Sequence, residues 1–131
     1  MAKHNEVGRI GEDIASRFLS EKGLKVVERN FRRPYGEIDI VSRESSGIYR
    51  FVEVKTVSWE TGELGVSHET GYRPEENMHP QKVKRLMRVI ESYILFRSIE
   101  EDWQVDVIAV YLNREAKRAK VRHLENVVLG S

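Results

Sequence analysis

The chain has 131 residues, 40% hydrophobic and 33% charged, the length and composition of one soluble globular domain. It has no cysteine, which excludes disulfide scaffolds, cysteine–zinc sites, iron–sulfur clusters and thiol nucleophiles. With 22 basic and 21 acidic residues the net charge is +1, which excludes a uniformly basic nucleic-acid coat but not a local patch.

Residues 5–22 carry Val7, Ile10, Ile14 and Phe18 at helical spacing, and Gly23 is a stop signal. Residues 24–31, with β-branched Val26 and Val27, favour a strand. Arg32 to Gly36 is a turn around Pro34. Residues 37–43 and 48–56 read as two further strands joined by Glu44-Ser45-Ser46-Gly47, and they are expected to pair as an antiparallel hairpin. Residues 57–78 show no period and hold three glycines and a proline, so a long mobile loop is expected there. Pro80 opens a second helix with Val83, Leu86, Met87, Ile90 and Ile94 on its apolar face and Lys84, Arg85 and Arg88 on the other. Residues 103–112 are nearly all apolar, as in a strand covered on both faces, and residues 120–128 suggest a last edge strand. The expected order is α-β-β-β-α-β(-β), an α/β domain with a mixed sheet flanked by helices spanning residues 1–131.

Charge is sorted along the chain. Residues 1–36 hold eight Lys/Arg against five Asp/Glu, and residues 79–97 hold five against one. Residues 57–78 hold one against five. A polyanion would meet the first two segments, through Arg29, Arg32 and Arg33 and through Lys82, Lys84, Arg85 and Arg88. No apolar run approaches the roughly 18 residues of a membrane span. Met1 to Glu6 has no apolar signal region, so a cytoplasmic location without membrane partners is expected.

Side chains alternate across a strand, so Glu37 and Asp39 are expected on one face and Ile38 and Ile40 on the other. Glu53 and Lys55 likewise oppose Val52 and Val54. If the apolar sets share one core, Asp39, Glu53 and Lys55 converge. Two carboxylates at one point suit a hard cation such as Mg²⁺, and a neighbouring lysine can hold the water that attacks a phosphodiester. The plainer alternative is a cross-strand salt bridge on a solvated sheet face. Asp106, inside an apolar strand, reads as a satisfied structural carboxylate, and Glu37 as a neighbour that tunes the site or an edge carboxylate. The four histidines lack paired spacing and read as non-ligands. Trp59 is placed to stack on a base, and Trp103 to pack in the core.

Gly36-Glu37-Ile38-Asp39-Ile40-Val41 followed by Phe51-Val52-Glu53-Val54-Lys55 resembles the core of the PD-(D/E)xK nuclease superfamily. Gly8 to Ala15, Arg29-Asn30-Phe31-Arg32, Lys82 and Val105-Asp106-Val107 extend the likeness over about residues 5–112. Within that superfamily the chain resembles the small bacterial proteins of the YraN type, which are similar to archaeal Holliday-junction resolvases. Ile38 stands where the superfamily's motif has proline. The resemblance implies a restriction-endonuclease-like fold with Asp39, Glu53 and the Val54 carbonyl as metal ligands. It implies Lys55 as the motif lysine, and Glu12 reaching the metal site from the first helix. Glu12 lies beside Gly8, Gly11 and Ala15, small residues that let a helix approach the sheet.

The expected function is Mg²⁺- or Mn²⁺-dependent cleavage of nucleic acid, with branched DNA as candidate substrate, and the resolvase likeness hints at a homodimer. The alternatives are a nucleic-acid-binding protein of the same fold with little activity, or a scaffold that docks a protein partner through residues 57–78.

Overall fold

Seven elements among the described residues account for the periodicities. In the computed structural model, which describes residues 2–58 and 79–127, they are α1 (Ala2–Glu21), β1 (Lys25–Arg33), β2 (Gly36–Arg43), β3 (Tyr49–Ser58), α2 (Pro80–Arg97), β4 (Trp103–Asn113) and β5 (Arg118–Leu124). The strands form one sheet in the order β1-β2-β3-β4-β5. The β3–β4 pair is parallel and the others are antiparallel, so the sheet is mixed, and α2 lies in the crossover between its two parallel strands. The class and order are those expected. The stretch from Trp59 to Met78, with its loop, Trp59 and His68, lies outside the described residues; Val57 and Ser58 extend β3 instead of starting the loop.

Helix ends follow local chemistry. Gly23 takes φ +92° just past α1, and the Leu24 N–H turns back to the Leu19 carbonyl at 3.0 Å. Before α2, the His79 side chain accepts from the Gln81 N–H and Pro80 occupies the first turn.

Among the described residues the apolar side chains fill two main clusters, one on each side of the sheet, with Ala109 and Tyr111 forming a small third. Phe31, Ile38, Val41, Phe51 and Val105 pack under α2 through Leu86, Val89, Ile90 and Tyr93. Ile40, Val52, Ile108 and Val110 pack under α1 through Ala15 and Leu19. Each such buried side chain contributes roughly 1.5–3 kcal/mol of transfer free energy. The strip of α1 buried deepest is Gly11, Ala15 and Leu19; Ile14 and Phe18 flank it. The reason is distance: a Cβ at Gly11 would lie 1.9 Å from Thr56 Oγ1, so α1 crosses β3 where only a glycine fits. On α2, Val89 and Tyr93 are buried while Val83, Met87 and Ile94 are only partly so. Trp103 touches the Phe51 ring edge-on but stays 37% exposed, because it sits at the open start of β4 and not within the core.

Apart from a register shift between Val26 and Glu28, the β1–β2 pairing breaks a second time, and here the faces change over. The β1–β2 ladder passes from Arg29↔Ile40 to Phe31↔Ile38, skipping Asn30 and Asp39. Asn30 is left-handed, with φ 57°. On one side of the break Ile40 belongs to the α1 cluster and Arg29 pairs with Glu12 and Asp13 of α1. On the other side Phe31 and Ile38 belong to the α2 cluster. Ile38 and Ile40 therefore face opposite sides, contrary to the expectation from simple alternation.

Candidate functional site

Asp39 sits at this break. The β2–β3 ladder ends at Ile40↔Val52, and beyond it the Asp39 carboxylate replaces a main-chain partner by accepting the Val54 N–H at 2.8 Å. The strands part around a carboxylate, which fixes its position. Oxygens of Glu12, Glu37 and Asp39 lie within 4.8 Å of one another, one from α1 and two from β2. Glu12 is held by Asn30 Nδ2 at 2.8 Å and, more loosely, by Arg29 at 3.4 Å. The left-handed Asn30 thus shapes the break and also orients a carboxylate.

Glu53 and Lys55 share the α2 side of β3, opposite Val52 and Val54, as expected. Glu53 is buried, and Lys55 Nζ lies 3.5 Å from its Oε2. A second ammonium reaches the same oxygen: Lys82, in the first turn of α2, at 2.9 Å.

The electrostatics follow from crowding. Burial pushes the Asp39 carboxyl up to about 8, and the nearby Glu53, Glu12 and Glu37 charges add to the rise against the Val54 hydrogen bond. Burial also raises Glu12, against its contacts with Arg29 and Asn30. Lys55 is lowered, first by burial and then by the adjacent Lys82, against the pull of Glu53. Burial works against the charge on Lys82, but contacts with Lys55 and Glu53 outweigh it and raise that group. The donor set is oxygen only, which fits a hard divalent cation.

The other expected positions fall in several places. Arg29 is engaged by Asp13 at 2.9 Å and by Glu12, and Arg32 lies 3.6 Å from Glu37. These two line an open groove of about 540 Å³ with Arg9, Glu12, Asn30 and Glu37. Arg33 stacks on the Phe31 ring at 4.2 Å, and Arg88 on Tyr35 at 4.0 Å. Lys84 and Arg85 are exposed on α2. Lys82 departs from this basic face and enters the acidic centre. Its pairing with Glu53, and the part played by Asn30, were absent from the sequence reading. Val54 enters the site through its N–H.

A second group, Asp106, His123 and Glu125, has ligand atoms within 4.8 Å of one another. Its atoms are otherwise committed. Fully buried Asp106 accepts from Arg50 at 3.0 Å, Gln104 at 2.9 Å and the Asn126 N–H at 2.9 Å, and pairs with His123 Nε2 at 2.8 Å. His123 Nδ1 meets Lys22 Nζ at 2.9 Å. Burial alone would raise the Asp106 carboxyl, but these partners hold it at about 2. It is a satisfied structural carboxylate, as expected.

Comparison with known proteins gives one family. The model of the uncharacterised protein family UPF0102 matches residues 11–110. A UPF0102 protein of Flavobacterium psychrophilum is 33% identical over 126 residues, 96% of each chain. One from Syntrophotalea carbinolica is 39% identical over 118 residues, 89% of this chain and 86% of that one. Among solved structures, Pyrococcus furiosus SfsA in complex with Ca²⁺ overlays at a TM-score of 0.43 and 13% identity, covering 90% of this chain and 63% of that one, too loosely to bear on function. No described helix is long and apolar enough to cross a membrane. On the family match and the length and identity of these alignments, the chain belongs to the UPF0102 family.

Proposed function

We propose that this protein hydrolyses nucleic-acid phosphodiesters with the help of Mg²⁺ or Mn²⁺, with branched DNA as its candidate substrate, and that it does so in the cytoplasm as one nuclease-like domain. The observation that carries this reading is the break at Asp39, which gathers Glu12, Glu37 and Asp39 within 4.8 Å, with Glu53 outside that group but near enough for its charge to act on Asp39. The carboxylates gathered at the break present oxygen donors alone, the set that a hard divalent cation takes.

Asp39, Glu53, the Val54 carbonyl and Glu12 would hold the ion, with Glu37 adding charge. A bound divalent ion supplies Lewis acidity toward the phosphate and lowers the pKa of water. Asn30 holds Glu12 in place, and the Val54 N–H holds Asp39. Lys55, lowered by its surroundings, is poised to orient a water or to donate to a phosphate oxygen. Lys84, Arg85 and Arg88 on the exposed face of α2 offer phosphate contacts, and Arg29, Arg32 and Arg33 at the end of β1 offer others. A four-way junction presents two symmetric scissile strands, which fits a homodimer.

One observation favours a binding protein of the same fold: Lys82 pairs with Glu53 at 2.9 Å and so occupies one of the proposed ligand oxygens. Cleavage separates the two readings. Wild-type protein with Mg²⁺ or Mn²⁺ is expected to cut at least one of junction, flap, single-stranded DNA and RNA. Lys55→Met is expected to lower that rate by about 10²-fold or more while changing affinity little. No cleavage on any of the four removes the enzyme reading; full cleavage by Lys55→Met removes the role of the lysine.

A further inference from the structure

Lys82 shares the basic composition of α2 but not its direction. Its ammonium lies 2.9 Å from Glu53 Oε2, closer than the 3.5 Å of Lys55 on the same oxygen. The Glu53 side chain is only 6% exposed while that of Lys82 is 48% exposed. A buried carboxylate is thus covered by a cation that comes from the solvent side on a flexible stem. Lys84, Arg85 and Arg88, farther along the same helix, face outward.

We propose that Lys82 is a tethered counter-cation: it occupies Glu53 while the centre is metal-free, a divalent ion must displace it to reach that carboxylate, and the displaced ammonium joins the phosphate-facing charges of α2. This rests on the metal-binding reading above and adds a positioning residue to it. Without Lys82, Lys55 would be the cation left to Glu53 among the described residues, beside Asp39 and its two acidic neighbours. That arrangement would hold the free protein at a cost and bind a divalent ion more tightly. With it, the free centre is partly neutralised, and the cation released on metal entry lies where the substrate's phosphate would arrive.

The direction of the effect distinguishes this role from a structural one. Damage to the site weakens metal binding, whereas loss of a competitor strengthens it. The test is calorimetric titration of Mn²⁺ into the whole protein at pH 7.5 and low salt, in wild type, Lys82→Met, Lys82→Arg and Asp39→Asn. Lys82→Met keeps the stem and is expected to lower the Mn²⁺ Kd by roughly 3- to 10-fold, an effect that shrinks in 0.5 M salt because the lysine is half exposed. Lys82→Arg keeps the charge and is expected to stay within about 2-fold of wild type. Lys25→Met, which removes a like charge from β1, is expected to leave the Kd unchanged and so controls for overall charge. If wild type binds Mn²⁺, Asp39→Asn abolishes binding, and Lys82→Met binds equally or more weakly, the counter-cation role is wrong and the metal centre stands. If wild type binds no Mn²⁺ at millimolar concentration, the metal centre itself is wrong and this role falls with it.

Discussion

Replacing Asp39 with asparagine is expected to stabilise the metal-free protein, and more so as the pH rises. The asparagine oxygen can still accept the Val54 N–H, so the strand break keeps its main-chain hydrogen bond. What is lost is a charge that burial and three neighbouring carboxylates oppose. The unfolded chain releases the Asp39 proton near 3.8, whereas the folded protein holds it up to about 8. Between those values the folded state binds more protons, so this group makes stability fall as the pH rises, fully above about 8 and not at all below 3.8. At about 1.4 kcal/mol for each pH unit, the interval sets a ceiling of about 6 kcal/mol. Local relaxation and water entry reduce this, and a gain of about 1–3 kcal/mol is expected. For a chain of this length that raises Tm by about 5–10 °C. Thermal melts in EDTA at pH 4.5, 6.5 and 8.5 are expected to show a small gap at the lowest pH and the full gap at the highest. Saturating Mn²⁺ is expected to narrow the gap at pH 8.5, because the ion binds folded wild type and not the variant. A gap that is constant with pH, or a variant less stable at pH 8.5, would refute the assignment of Asp39 as a strained, uncompensated acid.

Other substitutions probe the supports of the site. Gly11→Ala puts a methyl 1.9 Å from Thr56 Oγ1 and is expected to cost about 1–3 kcal/mol in chemical denaturation, whereas Gly8→Ala, with nothing within 4 Å, is expected to be neutral or to gain up to about 1 kcal/mol. If both behave alike, the close crossing of α1 over β3 is not what places Glu12. Asp106→Asn disrupts the buried cluster with Arg50, Gln104 and His123 and is expected to cost about 3–5 kcal/mol at pH 7. The folded Asp106 carboxyl is depressed from 3.8 to about 2, so a pH-linked share of about 2.5 kcal/mol is present above 3.8 and is lost as the pH falls through 2; the gap between variant and wild type is expected to narrow by that amount in acid melts. A cost that persists unchanged to pH 2 would point to packing instead of charge.

How much of this was legible in the sequence depends on how local each feature is. The helices follow from a period of 3.6 and from Gly23 and Pro80 at their ends, and the strands from β-branched runs between turns, because those signals lie within a few residues of what they determine. Glu53 and Lys55 share a face because they are two residues apart in one regular strand, so that half of the site needed no tertiary information. Asp106 was readable as satisfied because an acid inside an apolar strand must find donors, although Arg50, Gln104, His123 and Asn126 could not be named beforehand. Alternation failed at Asp39 because it assumes an unbroken ladder. The break depends on Asn30, nine residues away, adopting φ 57°, and on β2 parting from β3 so that a side chain takes the Val54 N–H. Glu12 and Glu37 join Asp39 only once α1 is seated on the sheet, and the height of that seat is set by Gly11 against Thr56. Lys82 reads as one more cation on a basic helix until the β3–α2–β4 crossover brings its first turn over Glu53. The sequence by itself determined which residues form each element and which faces are apolar, since backbone geometry ties those to neighbours in the chain. Which charges meet was decided by strand register, the break at Asp39 and the approach of two helices, since Coulomb energies depend on distances in space between residues far apart in sequence.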